Sequence, residues 1–244
     1  MTSEPPGDTN RWTAWRVTAY VVLVGIAFLV SQGLGVVVWG VVETLRDAAF
    51  DLGDWQNRAN GSVLVAATLG STAICVPLVI ALAGTDRWRF LGIRKTSARP
   101  FFVWCGALLA FVAVSDLITV SLGRPIVPDV MVEAFSSAHP LWLLLALALC
   151  APLFEELFFR GFLLSALEAV GAHRWVAVAT SAALWSMLHL QYDLYAVVSI
   201  FVGGLLLGAV RVSTHSILPC FAMHSLMNVI AYVETAYRAG TITA

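Results

Sequence analysis

Six long stretches of the chain contain no Asp, Glu, Lys or Arg and consist mostly of apolar residues. They cover residues 17–42, 59–85, 134–154, 175–192, 194–210 and 212–233. About 18 or more consecutive residues of this kind are typical of helices that cross a membrane. The pattern therefore predicts an all-α protein, built as a polytopic bundle of transmembrane helices.

The polar positions divide this bundle into about seven spans, with an eighth left open. A lone charge, Asp116, lies inside the third span, and Pro152 in the fourth removes a backbone donor and is expected to bend that helix. A short amphipathic segment is expected around residues 43–58. The seven predicted spans are 16–42, 61–83, 100–122, 139–166, 174–191, 194–211 and 216–234.

Composition agrees with a membrane protein and excludes other classes. Of the 244 residues, 59% are hydrophobic and only 12% are charged, against about 25% charged in ordinary soluble domains. A net charge of −1 without a long basic run gives no electrostatic basis for a nucleic-acid partner. The cysteines lie in apolar runs without CxxC spacing and are expected to be small buried side chains: Cys75, Cys105, Cys150 and Cys220.

Basic residues predict how the chain is oriented. The densest cluster, at 87–99, follows the second span. If this cluster is cytoplasmic, nine Lys and Arg residues lie inside and four outside, as the positive-inside rule requires. The N-terminus is then cytoplasmic and the C-terminus external. The polar N-terminus lacks the features of a cleaved signal peptide, and the small size and Ala/Val/Arg bias favour the inner membrane of a bacterium.

One group of ionisable residues lies in the fourth span, directly after Pro152. The sequence EELFFR places Glu155, Glu156 and Arg160 together, although each charge in hydrocarbon costs at least about 2.5–3.5 kcal/mol. Glu156 and Arg160 are four residues apart and can pair on one helix face, which is a structural role. Glu155 is turned about 100° away and needs other partners.

Polar residues of two later spans can supply those partners. His189 lies four residues after Trp185 in the fifth span, and His224 and Asn228 share a face of the seventh. Each histidine alone is compatible with an interhelical hydrogen bond. A carboxylate, two imidazoles and an amide that converge with Glu155 on one cavity would instead form a catalytic set.

These motifs resemble those of the CPBP family, the CAAX proteases and bacteriocin-processing enzymes that are also called the Abi family. EELFFR at 155–160 matches its EExxxR motif, and residues 224–228 match its HxxxN motif. Residues 185–189 match FxxxH with Trp185 in place of the usual Phe, and LGIRK at 91–95 is also similar. The resemblance covers about 85–234, which implies a catalytic membrane domain there. The remaining parts are a polar tail at 1–15, the first two spans at 16–84 and a C-terminal tail at 235–244.

The resemblance implies a role for each motif residue. Glu155 would activate water with the help of His189, while His224 and Asn228 would form the oxyanion hole. Glu156, Arg160 and Trp185 become supporting residues, with the Trp185 departure expected to adjust packing one turn from His189. The implied enzyme is an intramembrane endopeptidase that needs no cofactor.

Two alternatives to this mechanism stay open at this point, and the class of substrate is open as well. Glu155, His189 and His224 could ligate Zn²⁺, although Asn228 suits an oxyanion hole better than a zinc site. A catalytically inactive scaffold or transporter-like protein could use the same cluster for docking or proton relay. The expected partners are the lipid bilayer and a membrane-anchored protein or peptide, whether a prenylated CAAX protein or a leader peptide. The signatures HExxH, GxGD and GxSG of other membrane proteases are lacking.

Overall fold

The computed structural model describes residues 12–46 and 60–240, and within these ranges the regular elements are all helices. This confirms the predicted all-α bundle. Part of the expected amphipathic segment at 43–58 and the ends of both tails lie outside the described residues. The helices are α1 Ala14–Arg46, α2 Asn60–Leu82, α3 Arg87–Phe90, α4 Ala98–Ser121, α5 Asp129–Ser137, α6 Pro140–Ala169, α7 Arg174–Met187, α8 Leu194–Thr214 and α9 Leu218–Arg238.

Among the described residues, five helices are long and apolar enough to cross a membrane: α1, α2 from Gly61, α4, α6 and α8. The predicted fifth span, 174–191, is instead the 14-residue helix α7. At 1.5 Å per residue α7 is shorter than the hydrocarbon core of a bilayer. The predicted seventh span corresponds to α9, which has 21 residues but carries His224, Asn228 and Glu234. The total of seven spans and the cytoplasmic N-terminus stay predictions.

Large apolar side chains on the outside of the bundle identify the protein as an integral membrane protein. Leu29 of α1 is 70% exposed and Leu117 of α4 is 67% exposed, positions that lipid tails would cover. Association between such helices depends on close packing rather than on a hydrophobic force. At Gly35 of α1 a Cβ atom would lie 2.6 Å from the Ala66 carbonyl oxygen of α2, so only glycine permits this approach.

The central helix α6 contains two π-helical segments, Ala146–Cys150 and Glu156–Leu163, on either side of Pro152. Such segments release backbone carbonyls from the α-helical hydrogen-bond pattern. Side chains of neighbouring helices donate to them: Thr72 Oγ1 to the Cys150 carbonyl, Ser181 Oγ to the Phe159 carbonyl and Arg211 Nε to the Arg160 carbonyl, at 3.0, 2.9 and 3.1 Å. The π segments therefore fix α6 among α2, α7 and α8.

The segment LGIRK connects α3 to the turn between α8 and α9. The Gly92 carbonyl accepts a hydrogen bond from the Ile217 amide at 3.0 Å, and the Arg94 carbonyl accepts one from Ser216 Oγ at 2.5 Å. Gly92 has a φ of +70° and lies directly against the Arg211 guanidinium. A side chain would be strained at this φ and would also collide with Arg211. This segment holds the start of α9 in place beside α6.

Candidate active site

The four candidate catalytic residues line a single cavity of about 660 Å³. Glu155 reaches it from α6, His189 from the turn after α7, and His224 and Asn228 from α9. The resemblance of the three motifs to those of the CPBP family implies this convergence, and the structure brings the residues together. The supporting residue Trp185 of α7 also lines the cavity.

Glu155 is the carboxylate that faces the cavity, and its side chain is 15% exposed. Trp185 Nε1 donates a hydrogen bond to its Oε2 atom. The same oxygen lies 3.9 Å from His224 Nε2. The sequence predicts only a packing role for Trp185. The motif match did not reveal its hydrogen bond to Glu155.

Glu156 and Arg160 form the predicted pair across one turn of α6. Arg160 Nη1 donates to Glu156 Oε1 at 2.9 Å, and both side chains are 1% exposed. Arg160 Nη2 also donates to the Gly204 carbonyl at 3.3 Å, and its guanidinium lies 4.5 Å from the centre of the Trp185 ring. Buried charges are tolerated when they are paired and hydrogen-bonded, so this pair supports the structure of the site.

His224 connects the two glutamates. Its Nδ1 atom lies 2.8 Å from Glu156 Oε1, which already accepts from Arg160. A carboxylate oxygen can only accept a hydrogen bond, so His224 Nδ1 carries the hydrogen and is the donor. The other nitrogen, Nε2, is then free to interact on the side of Glu155.

His189 has a different environment from the one expected. Its Nδ1 atom lies 3.1 Å from the Trp185 carbonyl oxygen, which orients the ring and leaves Nε2 available. The ring packs against Trp185 and Tyr192, with centroid distances of 5.3 and 6.2 Å. In the part of the chain that the structure describes, His189 makes no direct hydrogen bond to Glu155. Any cooperation between them therefore requires an intervening molecule.

Asn228 donates a hydrogen bond to a backbone carbonyl of α6 that has no amide donor within its own helix, because the residue five positions later is Pro152. Its Nδ2 atom donates to the Leu147 carbonyl at 2.7 Å. Leu147 lies in the first π segment, where the carbonyl partner is the amide five residues later. That residue is Pro152, which has no N–H. One amide hydrogen of Asn228 is thus engaged, and the second remains for another acceptor.

The cavity extends beyond these residues to two groups that the sequence did not connect with the site. Asp116 of α4 and Tyr192, in the turn after α7, both line it. Tyr192 donates from its hydroxyl to Met131 Sδ at 3.1 Å. Burial, with a smaller contribution from the Glu155 charge, raises the pKa of Tyr192, so its hydroxyl is protonated at neutral pH. The lone charge of the third predicted span therefore faces the cavity.

The residues described do not form an assembled zinc site. Among them, no group of three or more His, Cys, Asp or Glu side chains lies close enough to hold a metal ion. His224 Nδ1 is engaged by Glu156 and His189 Nδ1 by a backbone carbonyl. The four cysteines are free.

Comparison with known protein families finds a match in the C-terminal half of the chain. The model described as Type II CAAX prenyl endopeptidase Rce1-like matches residues 137–230. This range contains the EExxxR, FxxxH-like and HxxxN motifs together with the whole set of candidate catalytic residues. The match confirms the resemblance to the CPBP family. Comparisons with curated proteins and with solved structures give no significant match.

Proposed function

We propose that the chain is an intramembrane endopeptidase that uses Glu155 to activate water, since residues 137–230 match a CAAX endopeptidase model of the CPBP type. The observation that carries this proposal is the position of Glu155. Its carboxylate faces the cavity between His189 and His224, and its Oε1 atom has no hydrogen-bond partner among the described residues. The proposed substrates are membrane-anchored proteins or peptides of the CAAX type.

Peptide hydrolysis needs a base for water and donors for the oxyanion. In the proposed reaction Glu155 takes a proton from water, and the water oxygen attacks the scissile carbonyl carbon. Nε2 of His224 and the second N–H of Asn228 donate to the oxyanion. When the tetrahedral intermediate collapses, the C–N bond breaks and the protonated Glu155 returns the proton to the leaving amine.

The Glu156–Arg160 pair has an electrostatic role in this proposal. In this proposal His224 donates from both ring nitrogens, from Nδ1 to Glu156 at 2.8 Å and from Nε2 to the oxyanion. Arg160 balances the charge of Glu156. His189 is proposed to orient the attacking water through Nε2.

A cleavage assay tests the proposed function. The protein would be purified in detergent and given a peptide that ends in a farnesylated cysteine followed by three residues. A second peptide has the same sequence but carries its lipid at the N-terminus. We expect cleavage after the prenylated cysteine, measured by mass spectrometry. Cleavage of the second peptide alone would replace the CAAX substrate class by a leader-type one, and failure of both would overturn the proposal.

We expect this activity to be independent of metal ions, since water is activated by a carboxylate. Incubation with a strong zinc chelator should leave the cleavage rate within about twofold of its starting value. Metal analysis of the same preparation checks that zinc is below the protein concentration. Stoichiometric zinc, with activity that chelation removes and Zn²⁺ restores, would make Glu155, His189 and His224 ligands instead.

Substitution of Asn228 tests the oxyanion hole. Asn228→Ala removes one proposed donor and should lower kcat by about 10²–10³-fold. It also leaves the Leu147 carbonyl without its side-chain donor, at a cost in stability of about 1 kcal/mol, so the melting temperature is measured alongside. Activity within a few-fold of wild type would remove Asn228 from the proposed mechanism.

A further inference from the structure

Trp185 lies at the centre of the candidate site rather than at its edge. Its side chain is 1% exposed and is among the largest fully buried side chains in the structure. Besides the hydrogen bond to Glu155, its ring lies 5.3 Å from that of His189 and 5.1 Å from that of His224, centre to centre. One residue therefore contacts the proposed base and both proposed imidazoles.

The orientation of this indole is fixed by its surroundings. The Arg160 guanidinium lies over the ring at 4.5 Å, a cation–π contact that favours this placement. On α8, a Cβ atom at Gly204 would lie 3.0 Å from ring atom Cε3, so α8 packs directly against the indole. A buried ring that is restrained in this way points its N–H in one direction, which is towards Glu155.

The two oxygens of Glu155 consequently have different environments. Oε2 accepts from the Trp185 indole and is also the oxygen 3.9 Å from His224. Oε1 accepts no hydrogen bond within residues 12–46 and 60–240. An indole N–H is a donor only, so it cannot take a proton in competition with the carboxylate.

We propose that Trp185 is a positioning residue whose indole N–H holds Oε2 of Glu155, so that Oε1 is the oxygen that takes the proton from water. This inference rests on the proposed function. A base that is held in place before the reaction loses no orientation in the transition state. The contribution of Trp185 should therefore appear in kcat rather than in substrate binding.

Trp185→Phe removes the N–H and keeps an aromatic ring at a position where the CPBP motif usually has Phe. We expect kcat to fall about tenfold, the lower end for the loss of a hydrogen bond to a charged group, with KM unchanged. Trp39→Phe is the matched control, because it removes another buried indole, from α1, outside the cavity lining. The control should keep the kcat of the wild type.

The hydrogen bond itself is tested by NMR on protein labelled with ¹⁵N-tryptophan. In the wild type the Trp185 indole proton should resonate downfield of the other indoles. Glu155→Gln should move this one signal upfield, because a neutral amide oxygen is a weaker acceptor than a carboxylate. This measurement does not require Trp185→Phe to fold. An unchanged indole spectrum in Glu155→Gln, or a wild-type kcat in folded Trp185→Phe, would overturn the inference. Cleavage by Glu155→Gln would instead overturn the proposed function.

Discussion

Glu155→Gln is expected to abolish cleavage, with kcat lowered by at least about 10³-fold. Glutamine keeps the length of the side chain, and its amide oxygen can still accept from the Trp185 indole, a contact that Glu155 Oε2 makes. What is lost is the capacity to take a proton, and general base catalysis contributes about 10²–10⁴-fold. The second proton transfer, to the leaving amine, is lost with it. The rate would be measured with the peptide that the wild type cleaves.

A control for this result lies on the same helix. Glu168 of α6 pairs with Arg174 at 3.9 Å on the surface, and Glu168→Gln should keep the kcat of the wild type. Equal melting temperatures for the two variants would separate loss of chemistry from loss of folding. If Glu155→Gln and Glu168→Gln cleaved equally well, Glu155 would not be the base.

The contacts within one helix could be predicted from the sequence. A spacing of four residues places Glu156 beside Arg160, and the pair is present at 2.9 Å. The motif match to the CPBP family also implied that Glu155, His189 and His224 share a cavity. Both predictions depend on helix geometry or on the motif match, and neither needs the rotation of one helix relative to another.

Contacts between helices could not be predicted in this way. Whether His224 contacts Glu155 or Glu156 depends on how α9 is rotated about its own axis. In the structure, His224 Nδ1 contacts Glu156. The contact of Asn228 with Leu147 depends on a π segment whose register no residue pattern specified. The indole contact to Glu155 depends in turn on the close packing of α8 at Gly204.

The helix at the predicted fifth span is shorter than the uncharged stretch, because the absence of charge does not distinguish lipid from protein surroundings. Residues 175–192 carry no charged side chain, yet the helix ends at Met187, and Ala177, Ser181, Ala182 and Trp185 are buried within the bundle. Because α7 ends at Met187, His189 lies in the turn that follows, at the cavity. The shorter helix is therefore part of how the site is built.

Arg160→Ala is expected to destabilise the protein by about 3–5 kcal/mol, because it leaves a buried carboxylate without its counter-charge. Glu156 is 1% exposed, and its Oε2 atom has no hydrogen-bond partner among the described residues even with Arg160 present. The variant also loses the donor to the Gly204 carbonyl and the cation that stacks on Trp185. Loss of expression or a much lower unfolding midpoint in detergent should follow.

The matched control removes an arginine whose ion pair is exposed. Arg174 pairs with Glu168 at 3.9 Å, and its side chain is 53% exposed, so Arg174→Ala should cost no more than about 1 kcal/mol. Both variants would be compared by unfolding of the purified protein in the same detergent. A folded Arg160→Ala protein with the stability of Arg174→Ala but without cleavage activity would contradict the structural role. It would place Arg160 in substrate binding.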